Sequence, residues 1–148
     1  MPRPRAGDYG QFGNFEWLIY AAYVWLAVAV LLELSNALAT PITLSLVRHY
    51  YLLGFVTHLI LGMAVRLVPG FLGVSRIAYP HLVRLSFVLI TASLLGRTLP
   101  QGLALMDIFW LRSAYGLSGA IGMLSLLALG INLMSTVRRF SRETADAS

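Results

Sequence analysis

Arg48, His49, His58 and Arg66 all lie on one apolar stretch, T-P-I-T-L-S-L-V-R-H-Y-Y-L-L-G-F-V-T-H-L-I-L-G-M-A-V-R-L-V-P-G-F-L-G, residues 40–73. An imidazole can ligate a metal or heme iron or carry a proton, and a guanidinium can hold an anionic group. Ionisable groups at membrane depth are expensive, so a functional role is the first reading of them. His58 follows His49 by nine residues. On a helix that is about 13 Å deeper and, at about 100° per residue, roughly the opposite face. The two therefore cannot share one metal within a single chain. His81 opens a later apolar segment, distant from His49, so no internal bis-histidine pair is expected.

Gly54, His58, Gly62 and Arg66 recur every four residues and form one helical stripe. Glycines one turn either side of a histidine leave a flat trough, in which either a neighbouring helix or a porphyrin can lie. If a heme sits there, its second axial ligand comes from another chain or from water, or the position stays open for a gas. Arg48 has two readings as well. In a hairpin centred near Thr40, Glu33 and Arg48 fall at the same depth, and a mutual ion pair is the cheapest way to keep both charges. Alternatively Arg48, with Arg97 and Arg112 from the same side, binds an anion such as a heme propionate.

The rest of the sequence narrows the chemistry. There is no cysteine, which excludes disulfides, iron–sulfur clusters and thiolate metal sites. No phosphate loop, nucleophile elbow or pair of carboxylates at catalytic spacing is present. Asn132 is a lone polar group of the fourth apolar segment and reads as an interhelical hydrogen-bonding residue. A proton relay through Glu33 and His58 is a third reading, thin because only one carboxylate falls within the spans.

These residues need a membrane scaffold. The chain is 58% hydrophobic and 11% charged, with a mean hydropathy of +0.76, whereas soluble domains carry about 25% charged residues. Four apolar segments, 17–39, 41–68, 81–99 and 113–137, are long enough to cross a hydrocarbon core of about 30 Å. The fold expected is an all-α, polytopic four-helix bundle. Thr40 and Pro41 suit the cap and first turn of the second helix. Pro69-Gly70 is its expected stop, Gly70 to Pro80 a loop, and Pro100-Gln101-Gly102 a turn. A short amphipathic piece is expected from Leu103 to Leu111. The polar first sixteen residues lack a signal-peptide pattern, and residues 138–148 form a charged tail. In the fourth segment Gly116 and Ala120 lie on one ridge and Ser118 and Gly122 on another, letting helices approach closely.

All eleven basic residues are arginine. They are scattered between apolar segments rather than gathered in a stripe, so topology explains them and nucleic acid is not an expected partner. Four spans put Arg3, Arg5, Arg66, Arg76, Arg84, Arg138, Arg139 and Arg142 on one side and Arg48, Arg97 and Arg112 on the other. The positive-inside rule then places both termini in the cytoplasm.

The frame His49, Gly54, Gly62, Arg66, Gly70 and Gly73, H-x4-G-x7-G-x3-R-x3-G-x2-G, resembles the histidine-bearing helix of the NnrS family. Those are membrane proteins linked to heme, copper and nitric-oxide metabolism. More loosely, it resembles a heme-bearing helix of heme–copper oxidase subunit one. The resemblance implies a bacterial inner-membrane protein that binds heme b through His49, with His58 as the rival ligand and Arg66 as a structural or propionate-side arginine. It also implies nitric-oxide or respiratory chemistry, in a homo-oligomer or a larger respiratory complex. Two departures stand out. The chain has fewer spans than the family, and Phe71 occupies the place of a second histidine, so an independent copper site is not expected. The alternative expectation is a cofactor-free membrane subunit or assembly factor.

Overall fold

The computed structural model describes residues 14–38, 44–74, 76–103 and 107–146, with side chains described as far as Ser141. It is all-helical: α1 (Glu16–Leu38), α2 (Leu44–Phe71), α3 (Pro80–Gly102) and α4 (Phe109–Asp146). All four helices are long and apolar enough to cross a membrane. Most of their large apolar side chains face outward, as expected where the surrounding solvent is lipid rather than water. Trp17, Tyr20 and Tyr23 are exposed near the start of α1, where aromatic rings suit the headgroup level.

Four helix ends differ from the sequence expectation. α2 runs past Pro69-Gly70 to Phe71, and Gly73, with a φ of +69°, turns the chain out of the helix. There Val74 N–H donates to the Pro69 carbonyl (2.9 Å) and Gly73 N–H to the Gly70 carbonyl (3.2 Å). This nested pair is a Schellman stop, and Pro69 serves it because the motif uses its carbonyl. Pro100 likewise lies inside the last turn of α3 rather than beyond it. Phe109, Trp110 and Leu111 belong to α4, not to a separate amphipathic piece, and that helix continues through Asp146. Thr40 and Pro41 lie outside the described residues.

The bundle is two antiparallel hairpins with α2 at the centre, packed against α1, α3 and α4. In the first hairpin, Gly54 faces Trp25 and Gly62 faces Leu18 and Ile19. In the second, α3 and α4 meet along a polar seam. Ser86 and Ser125 exchange hydroxyl-to-carbonyl bonds of 3.1 and 2.8 Å, and the Ser93 hydroxyl donates to the Ser118 carbonyl at 2.7 Å. Tyr79, Ser86 and Ser93 recur every seven residues, as do Ser118, Ser125 and Asn132. A seven-residue repeat keeps one seam in register along a left-handed helix pair. Small residues let that seam close: a Cβ on Gly122 would lie 2.9 Å from the Ser93 hydroxyl. Leu18, Leu61, Val65, Val83, Ile90 and Leu129 fill the core where the hairpins meet.

This packing puts the start of α1, the α2–α3 connection and the C-terminal half of α4 at one end of the bundle. Arg66, Arg76, Arg84, Arg138 and Arg139 are exposed towards that end. Arg48, Arg97 and Arg112 lie towards the other.

Candidate functional site

The most structured polar site is on α2. From Tyr50 to Thr57 this helix is a π-helix, its backbone hydrogen bonds reaching back five residues. Such stretches are rare and frequently sit at functional sites. His49 precedes it and His58 follows it. At its end two side chains repeat the five-residue offset. The Thr57 hydroxyl donates to the Leu52 carbonyl (2.8 Å), and His58 Nδ1 lies 2.8 Å from the Leu53 carbonyl.

His58 is fully buried. A carbonyl can only accept, so Nδ1 carries the proton and donates. In the neutral ring Nε2 then accepts from the Thr91 hydroxyl of α3, 3.2 Å away. The Phe87 ring stands edge-on to the imidazole with centroids 6.2 Å apart. Both ring nitrogens are thus engaged, one within α2 and one across to α3.

The glycine trough beside His58 is filled by α1. A Cβ on Gly54 would lie 2.7 Å from Trp25 Cβ, and one on Gly62 would lie 2.9 Å from Ile19 Cγ1. Glycine is required at both positions because another helix lies directly against the backbone. A porphyrin does not fit on this face in the folded chain, since both glycines already contact side chains and His58 has no nitrogen left to coordinate iron. Arg66, the last residue of the expected stripe, is on the exposed surface.

His49 is half-buried near the other end of α2. Its Nδ1 lies 2.6 Å from the Ser45 carbonyl, which makes Nδ1 the protonated nitrogen and leaves the Nε2 lone pair available. A second hydrogen bond of this kind commonly orients a metal-binding histidine. Among the described residues around it, Ser45, Arg48 and Leu52 are exposed. Among the described residues, no three His, Cys, Asp or Glu side chains are close enough to share a metal ion.

The other site residues read from the sequence do not converge here. Arg97 is half-buried, its guanidinium 5.0 Å above the Tyr115 ring of α4, while Arg48 and Arg112 are exposed. Glu33 and Arg48 were expected to pair at one level of the first hairpin. Both are nonetheless exposed, and they form no ion pair among the described residues. The inward positions beside Arg48 belong to Leu46 and Val47, which turns the guanidinium outward. His81 is exposed at the start of α3, its ring 5.8 Å from Tyr79.

Asn132 bonds as the sequence suggested, with partners it did not reveal. Its side-chain oxygen accepts from Tyr79 N–H (2.9 Å), and its amide donates to the Tyr79 carbonyl (2.8 Å). One turn on, the Thr136 hydroxyl accepts from Ala78 N–H (3.0 Å) and donates to the Asn132 carbonyl (2.9 Å). The connection into α3 is thereby clamped to α4. Thr91, Tyr79 and Thr136 were not singled out in the sequence. The seven-residue spacing of polar positions was the available signal for Tyr79, and none marked Thr91 as the partner of His58. Compared with protein-family models, curated proteins and solved structures, the chain matches none of them.

Proposed function

We propose that this chain is a multi-pass membrane subunit that holds no cofactor within its own bundle and works by assembling with another protein. One observation carries this reading: the only glycine-flanked histidine of α2 is sealed, with both ring nitrogens bonded and both glycines covered by α1. The α3–α4 seam uses Ser118 and Gly122, while Gly116 and Ala120 stay exposed on the outward face of α4. That ridge is the surface on which close approach by a partner helix costs least. The excess of arginine at the end bearing the α2–α3 connection supports an orientation with both chain ends in the cytoplasm, in a bacterial inner membrane.

A second reading rests on His49, where the Ser45 carbonyl engages Nδ1 and leaves the Nε2 lone pair without a hydrogen bond to a described residue. Under it, two copies, or this chain and a respiratory partner, hold heme b between them, consistent with the NnrS-like frame from His49 to Gly73. The chemistry the heme would supply is electron transfer or gas binding, and His49 would hold the iron. One experiment separates the two readings. The protein is expressed with ample heme, purified in mild detergent, and examined by absorption spectroscopy and for co-purifying chains. A partner without a Soret band supports the first reading. A Soret band lost on His49→Ala supports the second and overturns the first.

A further inference from the structure

At the arginine-rich end of the bundle, a cleft of about 460 Å³ opens between the α2–α3 connection and the last turns of α4. Arg76 and Arg139 line it, with Thr136, Ile77, Val74 and Phe140 among its other walls. Among the described residues, the lining therefore holds two guanidinium groups and no carboxylate. We propose that this cleft binds the phosphate of an anionic membrane lipid headgroup.

Three features point to that ligand. The first is charge and geometry: a guanidinium presents paired N–H donors that match phosphate oxygens, and two of them flank one opening. The second is rigidity. The Asn132 and Thr136 hydrogen bonds to Tyr79 and Ala78 pin the wall that carries Arg76 and Ile77. The Arg139 guanidinium lies 4.9 Å over the Tyr79 ring, so one of the two cations is already held in place. The third is depth. α2 ends at Phe71 and α3 starts at Pro80, so the cleft lies where the spans leave the apolar layer. Its walls offer Val74 and Phe140 to a glycerol or acyl segment below the phosphate. A basic pocket between spans at this level is a common form of anionic-lipid site. The inference needs the chain to be embedded in a membrane, but it holds whether or not heme binds at His49.

The test uses the full chain in lipid nanodiscs and in detergent. Wild type should retain phosphatidylglycerol in preference to phosphatidylcholine when bound lipids are counted by native mass spectrometry. Arg76→Gln with Arg139→Gln should weaken that retention roughly thirtyfold, since each basic residue near an anionic surface contributes about a fivefold step. Arg48→Gln with Arg112→Gln, equal in charge at the opposite end, should leave it unchanged. Tyr79→Leu keeps both charges and removes the ring beneath Arg139, so an intermediate loss is expected. Inorganic phosphate in detergent separates the sources. Failure of phosphate to compete assigns the cleft to lipid, and competition at modest concentration shows that the same cations also take a free anion. The proposal is overturned if wild type shows no preference for phosphatidylglycerol, or if the two double variants lose it equally.

Discussion

The Nε2 nitrogen of His58 on α2 lies 3.2 Å from the hydroxyl of Thr91 on α3, which ties the central helix of one hairpin to the other hairpin. With Nδ1 bonded to the Leu53 carbonyl, the imidazole serves as a cross-brace at the end of the π-stretch. An interhelical hydrogen bond of this kind adds less in a bilayer than its burial suggests, because the unfolded helices also find partners in lipid.

Replacing the hydroxyl tests the brace. Thr91→Val keeps the shape and removes the donor, and should lower stability by about 0.6 to 1.7 kcal/mol, from the average to the largest of such bonds in membranes. Thr91→Ser should restore most of it. Unfolding of the purified protein in mixed micelles measures both.

Gly54 of α2 and Gly116 of α4 should respond in opposite senses. Gly54→Ala drives a methyl group to 2.7 Å from Trp25 Cβ, and overpacking of this kind costs about 1 to 3 kcal/mol. Gly116→Ala meets nothing within 4 Å and gains helix propensity, so it should be neutral or stabilising. The two thermal midpoints in detergent should therefore move apart.

Asn132→Ala removes the acceptor of the Tyr79 N–H and one donor to the Tyr79 carbonyl, which keeps the Leu82 N–H at 3.0 Å. An unpaired buried amide costs about 1 to 3 kcal/mol, and the lower end applies here because water can reach the bundle end. The expected sign is local. Amide exchange at Ala78 and Tyr79 should quicken, and protease cleavage between residues 72 and 79 should appear. Ser86→Ala, in the middle of the same seam, should change neither.

Orientation can be read with single cysteines, since the chain has none of its own. Asp107 and Arg76 are exposed at opposite ends of the bundle. If the arginine-rich end is cytoplasmic, an impermeant maleimide should label Asp107→Cys in intact cells and label Arg76→Cys only after lysis. The reverse pattern would invert the topology.

The four long apolar helices were legible because apolar length alone marks a candidate membrane span, and Glu33 and Arg48 were visible as charges near the ends that face each other in the first hairpin. Whether those charges pair was not legible. That depends on which residues face inward, and Leu46 and Val47 occupy that face. The π-stretch was hidden too, because Y-Y-L-L-G-F-V-T is apolar almost throughout and a shifted backbone hydrogen bond leaves no periodic trace in it. The Gly54, His58 and Gly62 stripe was visible, while its occupant was not. A trough between glycines has the same sequence whether α1 or a porphyrin fills it, and only packing decides. The polar seam of α3 and α4 could have been found, since Ser118, Ser125 and Asn132 keep a seven-residue spacing that a search at four-residue spacing passes over.

The account stands on the claim that the face of α2 around His58 is closed by protein. The most direct measurement is the absorption spectrum of the chain purified after heme-supplemented expression, taken for wild type, His58→Ala and His49→Ala. The account predicts no Soret band that depends on His58. A wild-type Soret band that survives His49→Ala and vanishes with His58→Ala would contradict it.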